Sequence, residues 1–312
     1  MSPVLEIWRQ TRGLFDRQPR NLRASMLVIL AFFTFAAMSV MLRRLNNEIP
    51  IVQVIFVRQF SALLLMAPIY WRVWPEIRKP HRMTLHMMRG VTASGAMFCG
   101  LSAVMLISLA NVTAIQMTEV LFATAFAALL LREKVSALHW ALTLVGFAGV
   151  VIMMHPFGDG LAWGNVLALC GAICGALSMV AIRLGAPHDS ALTVTFWQGL
   201  VVLCLITPLA MVAWVTPHME QAILLALMSV TFTAGQWLFT AGLRMGAAAA
   251  IAPLNYLRLI IMTVVGWLLF SETPTLTTMV GGFLILSSAF FTIRNNARGV
   301  KEVTIAVESP PL

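Results

Sequence analysis

The sequence predicts an all-α integral membrane protein of ten transmembrane helices, arranged as two inverted five-helix repeats. Three observations predict this class: the composition, a series of long apolar runs, and an internal repeat. Of the 312 residues, 60% are hydrophobic and only 11% are charged. A soluble domain carries about 25% charged residues. So little charge does not suffice for a surface that faces water.

Ten apolar runs are long enough to cross a bilayer, which takes about 20 residues of helix. Lipid offers the backbone no hydrogen-bond partner, so each run is expected to be helical. We number the runs as spans 1 to 10. They cover residues 26–42, 51–71, 86–107, 112–131, 137–154, 163–182, 191–214, 222–243, 248–270 and 275–293.

The basic residues predict how the spans are oriented. Cytoplasmic loops are rich in Lys and Arg, and these residues collect in the N-terminal segment, in alternate loops and in the tail. Arg43 and Arg44 are the exception on the opposite side, where Glu48 offsets one of them. The pattern predicts a multi-pass protein of the cell inner membrane with both termini in the cytoplasm.

The chain begins to match itself when its first half is laid on its second half. With Ser39 placed on Ser178, Glu133 falls on Glu272. One unit of five spans therefore occurs twice, and we call this constant offset the repeat shift. Because five is odd, the second copy enters the membrane from the other side. Such inverted repeats are typical of secondary transporters.

The repeat divides the chain into four parts. A basic cytoplasmic segment covers 1–25, the first repeat covers 26–154, and the second repeat covers 161–293. The polar tail 294–312 ends in two prolines and a leucine, and we expect it to be disordered.

Two stretches carry a resemblance to a known family: FAALLLREKVSALHWALTLVGFAGVVIMM at 125–153 and VVGWLLFSETPTLTTMVGGFLILSSAFF at 264–291. Arg58 in span 2 and Arg89-Gly90 in span 3 also fit. Over residues 26–293 the chain resembles the EamA-type branch of the drug/metabolite transporter superfamily. The resemblance implies its fold and a role in transport. It says little about substrate, because the family moves amino acids, vitamins and nucleotide-like metabolites.

Three ionisable residues lie deep within the spans: Arg58, Glu119 and Arg258. Each would cost about 2.5–3.5 kcal/mol or more if it faced lipid, so we expect them to face the bundle interior or a wet cavity. The repeat shift takes Glu119 onto Arg258, so the two occupy equivalent positions in the two repeats. Either these charges form a static pair, or they bind a zwitterionic or anionic substrate, or Glu119 exchanges a proton.

Polar and aromatic residues on spans 2, 4, 7, 8 and 9 predict a central cavity. Glutamine and asparagine would supply hydrogen bonds, and tryptophan and tyrosine would stack on a planar substrate. The predicted substrate-binding residues are Arg58, Gln59, Gln116, Glu119, Trp197, Gln198, Gln236, Trp237, Asn255, Tyr256 and Arg258. Glu133 and Glu272 are expected instead to stabilise the N-terminus of the helix that follows each of them.

Other functional classes fit less well. The chain has no phosphate-binding loop of the form G-x-x-x-x-G-K-[ST], its basic residues flank apolar runs rather than forming a nucleic-acid-binding face, and no cofactor or metal site is predicted. The predicted function is that of a secondary transporter for a planar or zwitterionic metabolite such as riboflavin or S-adenosylmethionine. Export of amino acids or related metabolites is the alternative, and an intramembrane enzyme is a distant one. The predicted partners are the bilayer and a small-molecule substrate, while proton coupling and oligomeric state are left open.

Overall fold

The computed structural model describes residues 20–45, 48–131, 137–154, 162–185, 189–245, 254–273, 275–288 and 290–291. Most of the predicted basic segment 1–25 and all of the predicted tail 294–312 lie outside these residues, as does Glu133. Helices make up most of the described chain. Their bounds are α1 (Arg20–Arg44), α2 (Ile51–Arg72), α3 (Trp74–Ile77), α4 (Met83–Leu106), α5 (Leu109–Met117), α6 (Glu119–Leu131), α7 (Ala137–Met154), α8 (Trp163–Gly185), α9 (Ala191–Val212), α10 (Met219–Met245), α11 (Leu254–Phe270) and α12 (Leu276–Ser288).

The described residues hold six helices that are long and apolar enough to cross a membrane, namely α1, α2, α4, α8, α9 and α10. Shorter apolar helices occupy the runs predicted as spans 4, 5, 9 and 10. The described residues contain no strand. The all-helical membrane class is therefore confirmed, and the count of ten crossings stays a prediction.

Span 4 is not one helix, because it breaks at Thr118 into α5 and α6. The Thr118 hydroxyl donates to the Ile115 carbonyl at 2.6 Å, which occupies a carbonyl near the end of α5. At the start of α5, the Ser108 hydroxyl accepts from the Asn111 backbone N–H at 3.2 Å, as an N-cap does. The break makes Glu119 the first residue of α6.

Helices α2 and α9, which are counterparts in the two repeats, run antiparallel. Near the start of α2, the amide of Gln53 bonds to both backbone groups of Val215, which follows α9. Near the start of α9, the Trp197 indole donates at 2.8 Å to the carbonyl of Ile77, which follows α2. We call the two ends of the bundle the Arg20 end and the Arg44 end, after the first and last residues of α1.

Helices α7 and α12, also counterparts, cross antiparallel through glycines. A Cβ atom built on Gly146 would lie 3.1 Å from the Ser288 hydroxyl, and one built on Gly149 would lie 2.9 Å from Ile285 Cγ1. The repeat shift takes Gly146 onto Ile285, and it takes Gly149 onto Ser288. The first contact therefore maps onto the second when the two repeats are exchanged.

The helices in contact form a ring in the order α2, α10, α1, α11, α5, α8, α4, α9 and back to α2. The repeat shift makes α1 the counterpart of α8, α2 of α9, α4 of α10 and α5 of α11. If each helix of the ring is exchanged with its counterpart, the same ring results, but its order is reversed. A rotation about an axis parallel to the helices would keep the order, so the pseudo-two-fold axis lies across the helices. The two halves of the described bundle are thus related by inversion of their direction.

Polar contacts at the two ends follow the same relation. At the Arg44 end, the Gln221 amide donates at 2.6 Å to Glu48, so the segment before α2 contacts the start of α10. At the Arg20 end, the imidazole of His86 lies 3.0 Å from the carboxylate of Asp189, so the segment before α9 contacts the start of α4. Each contact joins one repeat to the other.

Candidate functional site

A cavity of about 360 Å³ lies between α2, α9 and α10, with Met97 of α4 also in its wall. Its size lies within the range of about 300–1,000 Å³ that is typical of small-molecule sites. Four of the predicted residues line it: Gln59, Gln198, Gln236 and Trp237.

The cavity extends from the middle of the bundle towards the Arg20 end. At one end of the cavity, Gln59 and Phe232 lie near the middle of the bundle. At its other end, Tyr70 and Thr240 lie near the Arg20 ends of their helices. The lining residues in the described part of the chain include no Asp, Glu, Lys or Arg. Glutamine amides and threonine hydroxyls supply its polar groups, so the wall offers neutral donors and acceptors beside apolar surface.

Arg58 is buried directly behind this wall. Its side chain is only 4% exposed, and its guanidinium carbon lies 4.2 Å from the centroid of the Phe232 ring. Phe232 itself lines the cavity. Arg58 therefore lies against the cavity wall and does not face lipid, as the cost of burying an unpaired charge requires.

Gln116, Glu119 and Arg258 form a separate polar cluster where α5, α6, α8 and α11 meet. The Arg258 guanidinium donates at 3.2 Å to the Gln116 side-chain oxygen, and Arg258 and Glu119 are close enough to interact electrostatically. The Glu119 carboxylate packs against Gly175, where an added Cβ would lie 2.7 Å from its carboxyl carbon. The predicted trio of charges thus divides into Arg58 near the cavity and a Glu119–Arg258 group elsewhere in the ring.

The three remaining predicted residues are placed differently. Trp197 does not line the cavity, because its indole is bonded to the Ile77 carbonyl and its ring packs edge-on against Phe196. The side chains of Asn255 and Tyr256 lie outside the described residues.

The residues that sequence reasoning did not select include Leu63, Met66 and Tyr70 on α2. They follow Gln59 at the three- and four-residue spacing of one helix face. A helical projection that started from Gln59 would have identified them. Phe232 carries no such signal, because an aromatic residue in a span most often faces other helices or lipid.

A charged network joins helix ends at the Arg44 end. Arg43 pairs with Glu272 and also donates to the Val104 carbonyl at 2.9 Å. The other Glu272 oxygen accepts from the Leu109 backbone N–H at 3.0 Å, and the pair is largely buried, with exposures of 14% and 18%. Glu272 thus binds the first residue of α5, and its expected effect on the helix that follows it stays a prediction. The partner of Arg43 is Glu272 rather than Glu48, and an offset of Arg44 by Glu48 stays a prediction.

Comparison with known proteins places the chain in a family. The model of the EamA-like transporter family matches residues 22–155 and again 162–294. The structure also matches a solved crystal structure with a TM-score of 0.58 and 18% sequence identity. The match covers 85% of this chain and 95% of the solved chain, which shows that the two have a similar fold.

The alignments with three named relatives cover nearly the whole length of each relative. A riboflavin transporter of Rhizobium johnstonii is 27% identical over 87% of this chain and 91% of its own. An S-adenosylmethionine uptake transporter of Rickettsia bellii is 23% identical over 88% and 94%. The pseudopaline exporter CntI of Pseudomonas aeruginosa is 28% identical over 84% and 92%. With the family model matching both halves, the chain belongs to the EamA-like transporter family and is a multi-pass membrane transporter of small metabolites.

Proposed function

We propose that the protein is a secondary transporter that moves its substrate across the cell inner membrane by alternating access. In this proposal the ten spans form two inverted five-helix repeats, and both termini lie in the cytoplasm. The antiparallel course of α2 with α9 and of α7 with α12 supports the inversion. The basic residues in and beside the loops at the Arg20 end, such as Arg72 and Arg78, support its cytoplasmic assignment.

The observation that carries the proposal is a cavity between the two repeats that reaches towards the Arg20 end. Contacts between the repeats join both ends of the described bundle. They are Arg43–Glu272, Glu48–Gln221 and Gln53–Val215 at the Arg44 end, and His86–Asp189 and Trp197–Ile77 at the Arg20 end. A substrate site at the interface of two inverted repeats is typical of carriers that work by alternating access.

The cavity lining supports a substrate with a planar part. The Trp237 ring offers a stacking surface, and the amides of Gln59, Gln198 and Gln236 both donate and accept hydrogen bonds. Riboflavin, the substrate named for one of the relatives, has a planar ring system that fits this lining. S-adenosylmethionine, the substrate named for another relative, carries a carboxylate that fits the buried charge of Arg58. This favours uptake or export of an amino-acid-like metabolite as the second candidate.

Uptake into liposomes that contain the purified protein tests the proposal. Labelled riboflavin and S-adenosylmethionine serve as substrates, and Trp237→Ala is compared with Trp267→Ala. The two tryptophans are similarly exposed, at 55% and 57%, but only Trp237 lines the cavity.

Loss of the stacking surface is expected to lower uptake by about tenfold or more in Trp237→Ala, since stacking of a planar ring contributes about 1–3 kcal/mol. Trp267→Ala is expected to retain uptake. Equal effects of the two substitutions would show that this cavity is not the transport site.

A further inference from the structure

Arg58 and Gln59, neighbours on α2, both carry buried hydrogen-bonding atoms without a partner. The two side chains are 4% and 7% exposed. Within the described part of the chain, no partner lies within hydrogen-bond distance of Arg58 Nε, Arg58 Nη2 or Gln59 Oε1. The neighbouring pair thus presents two unused donors on a cation and one unused acceptor on an amide.

An arginine with a purely structural role would be expected to have an anionic partner. Breaking a buried ion pair by removing one partner costs about 3–5 kcal/mol, because the remaining charge is uncompensated. Arg43 pairs with Glu272 and His86 pairs with Asp189, whereas Arg58 forms no ion pair with any residue that the structure describes. Arg58 therefore keeps a buried charge that a ligand can neutralise.

The geometry of Arg58 selects the kind of anion. Nε and Nη2 are the two nitrogens on one edge of the guanidinium, and their N–H groups point in parallel, as in bidentate binding of a carboxylate. The contact with the Phe232 ring involves the guanidinium face, so it uses none of the donors along the edge. Arg58 itself does not line the cavity, but Phe232 and Gln59, its two neighbours at this point, do, so a ligand in the cavity reaches the edge when these two side chains move aside.

Gln59 adds a second requirement. A Cβ built on Gly199 would lie 2.7 Å from Gln59 Nε2, so Gly199 leaves the room in which this amide lies. The free Oε1 accepts hydrogen bonds but cannot donate them. A phosphate group would match Arg58 and leave this acceptor unused, whereas a carboxylate next to an ammonium group matches both residues.

We propose that Arg58 and Gln59 form the recognition site for an α-amino-acid head group at the wall of the cavity. The carboxylate accepts from Arg58 Nε and Nη2, the ammonium donates to Gln59 Oε1, and the rest of the molecule occupies the cavity beside Trp237. This inference rests on the proposed transport site and names its substrate class: an amino-acid-derived zwitterion. A neutral ring such as riboflavin would leave the Arg58 charge unpaired.

Binding to the full-length purified protein in detergent tests the site with four probes. S-adenosylmethionine carries the head group, its decarboxylated analogue lacks only the carboxylate, its deaminated analogue lacks only the amino group, and riboflavin lacks the whole group. We compare the Kd values of the wild type, Arg58→Gln, Arg58→Lys and Gln59→Leu. Arg89→Gln is the control, because Arg89 is also a spanning arginine with unpartnered nitrogens. Unlike Arg58, it has no chain neighbour that lines the cavity.

The wild type is expected to bind S-adenosylmethionine at least about tenfold more tightly than the decarboxylated analogue, as a charge-assisted bidentate contact implies. Arg58→Gln is expected to bring this ratio close to one. Arg58→Lys retains the charge but not the fork, so it is expected to recover only part of the ratio. Arg89→Gln is expected to keep the wild-type ratio.

Gln59→Leu keeps the inference testable if Arg58→Gln does not fold. It is expected to weaken S-adenosylmethionine relative to an analogue that lacks the amino group. The head-group site would be overturned if the wild type bound S-adenosylmethionine no more tightly than its decarboxylated analogue, or did not bind S-adenosylmethionine at all. It would also be overturned if Arg58→Gln kept the wild-type ratio of the two Kd values. If such a protein still takes up riboflavin in a Trp237-dependent manner, the proposed transport function stands without this substrate class.

Discussion

At the residue scale, the cost of exposing charge to lipid explains why the charged residues of the candidate site lie inside the bundle. Arg58, Glu119 and Arg258 were expected to avoid lipid because of their cost there, and the structure buries or partly buries all three. Their partners could not be predicted from sequence. Arg258 bonds to Gln116 and Arg58 stacks on Phe232, and such choices depend on the rotation of each helix, which span boundaries uncertain by a few residues do not determine.

Replacement of Glu119 tests whether it carries a proton during transport. As the first residue of α6, Glu119 lies at the positive end of the helix dipole, and Arg258 lies close by. Glu119→Gln keeps the shape and removes the proton-binding charge. We expect it to abolish the stimulation of uptake by a pH gradient in liposomes while the fold remains intact.

Glu76→Gln is the matched control, because Glu76 is an exposed carboxylate on α3 outside the spans. It is expected to respond to the gradient as the wild type does. If Glu119→Gln shows the same pH dependence as the wild type, Glu119 has a static role only.

At the element scale, glycines decide how closely the helices approach. Small residues allow close contact of spanning helices, and Gly171 and Gly175 have the four-residue spacing of such a contact. The structure places Gly171 against the backbone of Gly100 and Gly175 against Glu119. The break at Thr118 was not predicted, because span 4 contains no proline or glycine to indicate it.

Gly149→Ala is expected to destabilise the fold. The added Cβ would lie 2.7 Å from the Gly281 carbonyl oxygen, which is backbone, so helices α7 and α12 would have to move apart. We expect a loss of about 1–3 kcal/mol, as in other overpacked contacts. The measurement is the thermal unfolding midpoint of the purified protein.

Gly282→Ala provides the control on the facing helix, since no atom lies within 4 Å of the added Cβ. It is expected to leave the midpoint unchanged or raise it, because alanine favours helix over glycine by about 0.5–1 kcal/mol. A midpoint for Gly149→Ala equal to that of Gly282→Ala would contradict the close crossing.

At the scale of the whole molecule, the sequence predicted the repeat relation and the described helices obey it. Identities at one constant offset were sufficient for this, because duplication leaves a signal along the whole chain. The contact between Arg43 and Glu272 at the Arg44 end was not predicted. Arg43 and Glu272 are far apart in the chain and belong to different repeats, so only the folded bundle brings them together.

Glu272→Gln is expected to open the Arg44 end. It removes the charge opposite buried Arg43, and such a loss costs about 3–5 kcal/mol. A cysteine substitution at Met105, which lines a cavity of about 430 Å³ beside the pair, reports the change in a background without the four native cysteines. We expect a membrane-impermeant maleimide to label this position several-fold faster.

Glu220→Gln, at the exposed start of α10 and also at the Arg44 end, is the control. Its labelling rate is expected to match that of the unsubstituted reporter protein. Equal labelling of Glu272→Gln and Glu220→Gln would show that the ion pair does not hold this end closed.

The glycine crossing of α7 and α12 has a mechanical consequence. If the second access state arises when the two halves swap conformations, Arg43–Glu272 must separate, because the swap moves that contact to other residues. The pair of contacts at Gly146 and Gly149 maps onto itself, so it has the same geometry before and after the swap. The two halves would then move about this crossing. A covalent cross-link between α7 and α12 at the crossing is expected to leave turnover intact, whereas a cross-link between positions 43 and 272 is expected to stop it.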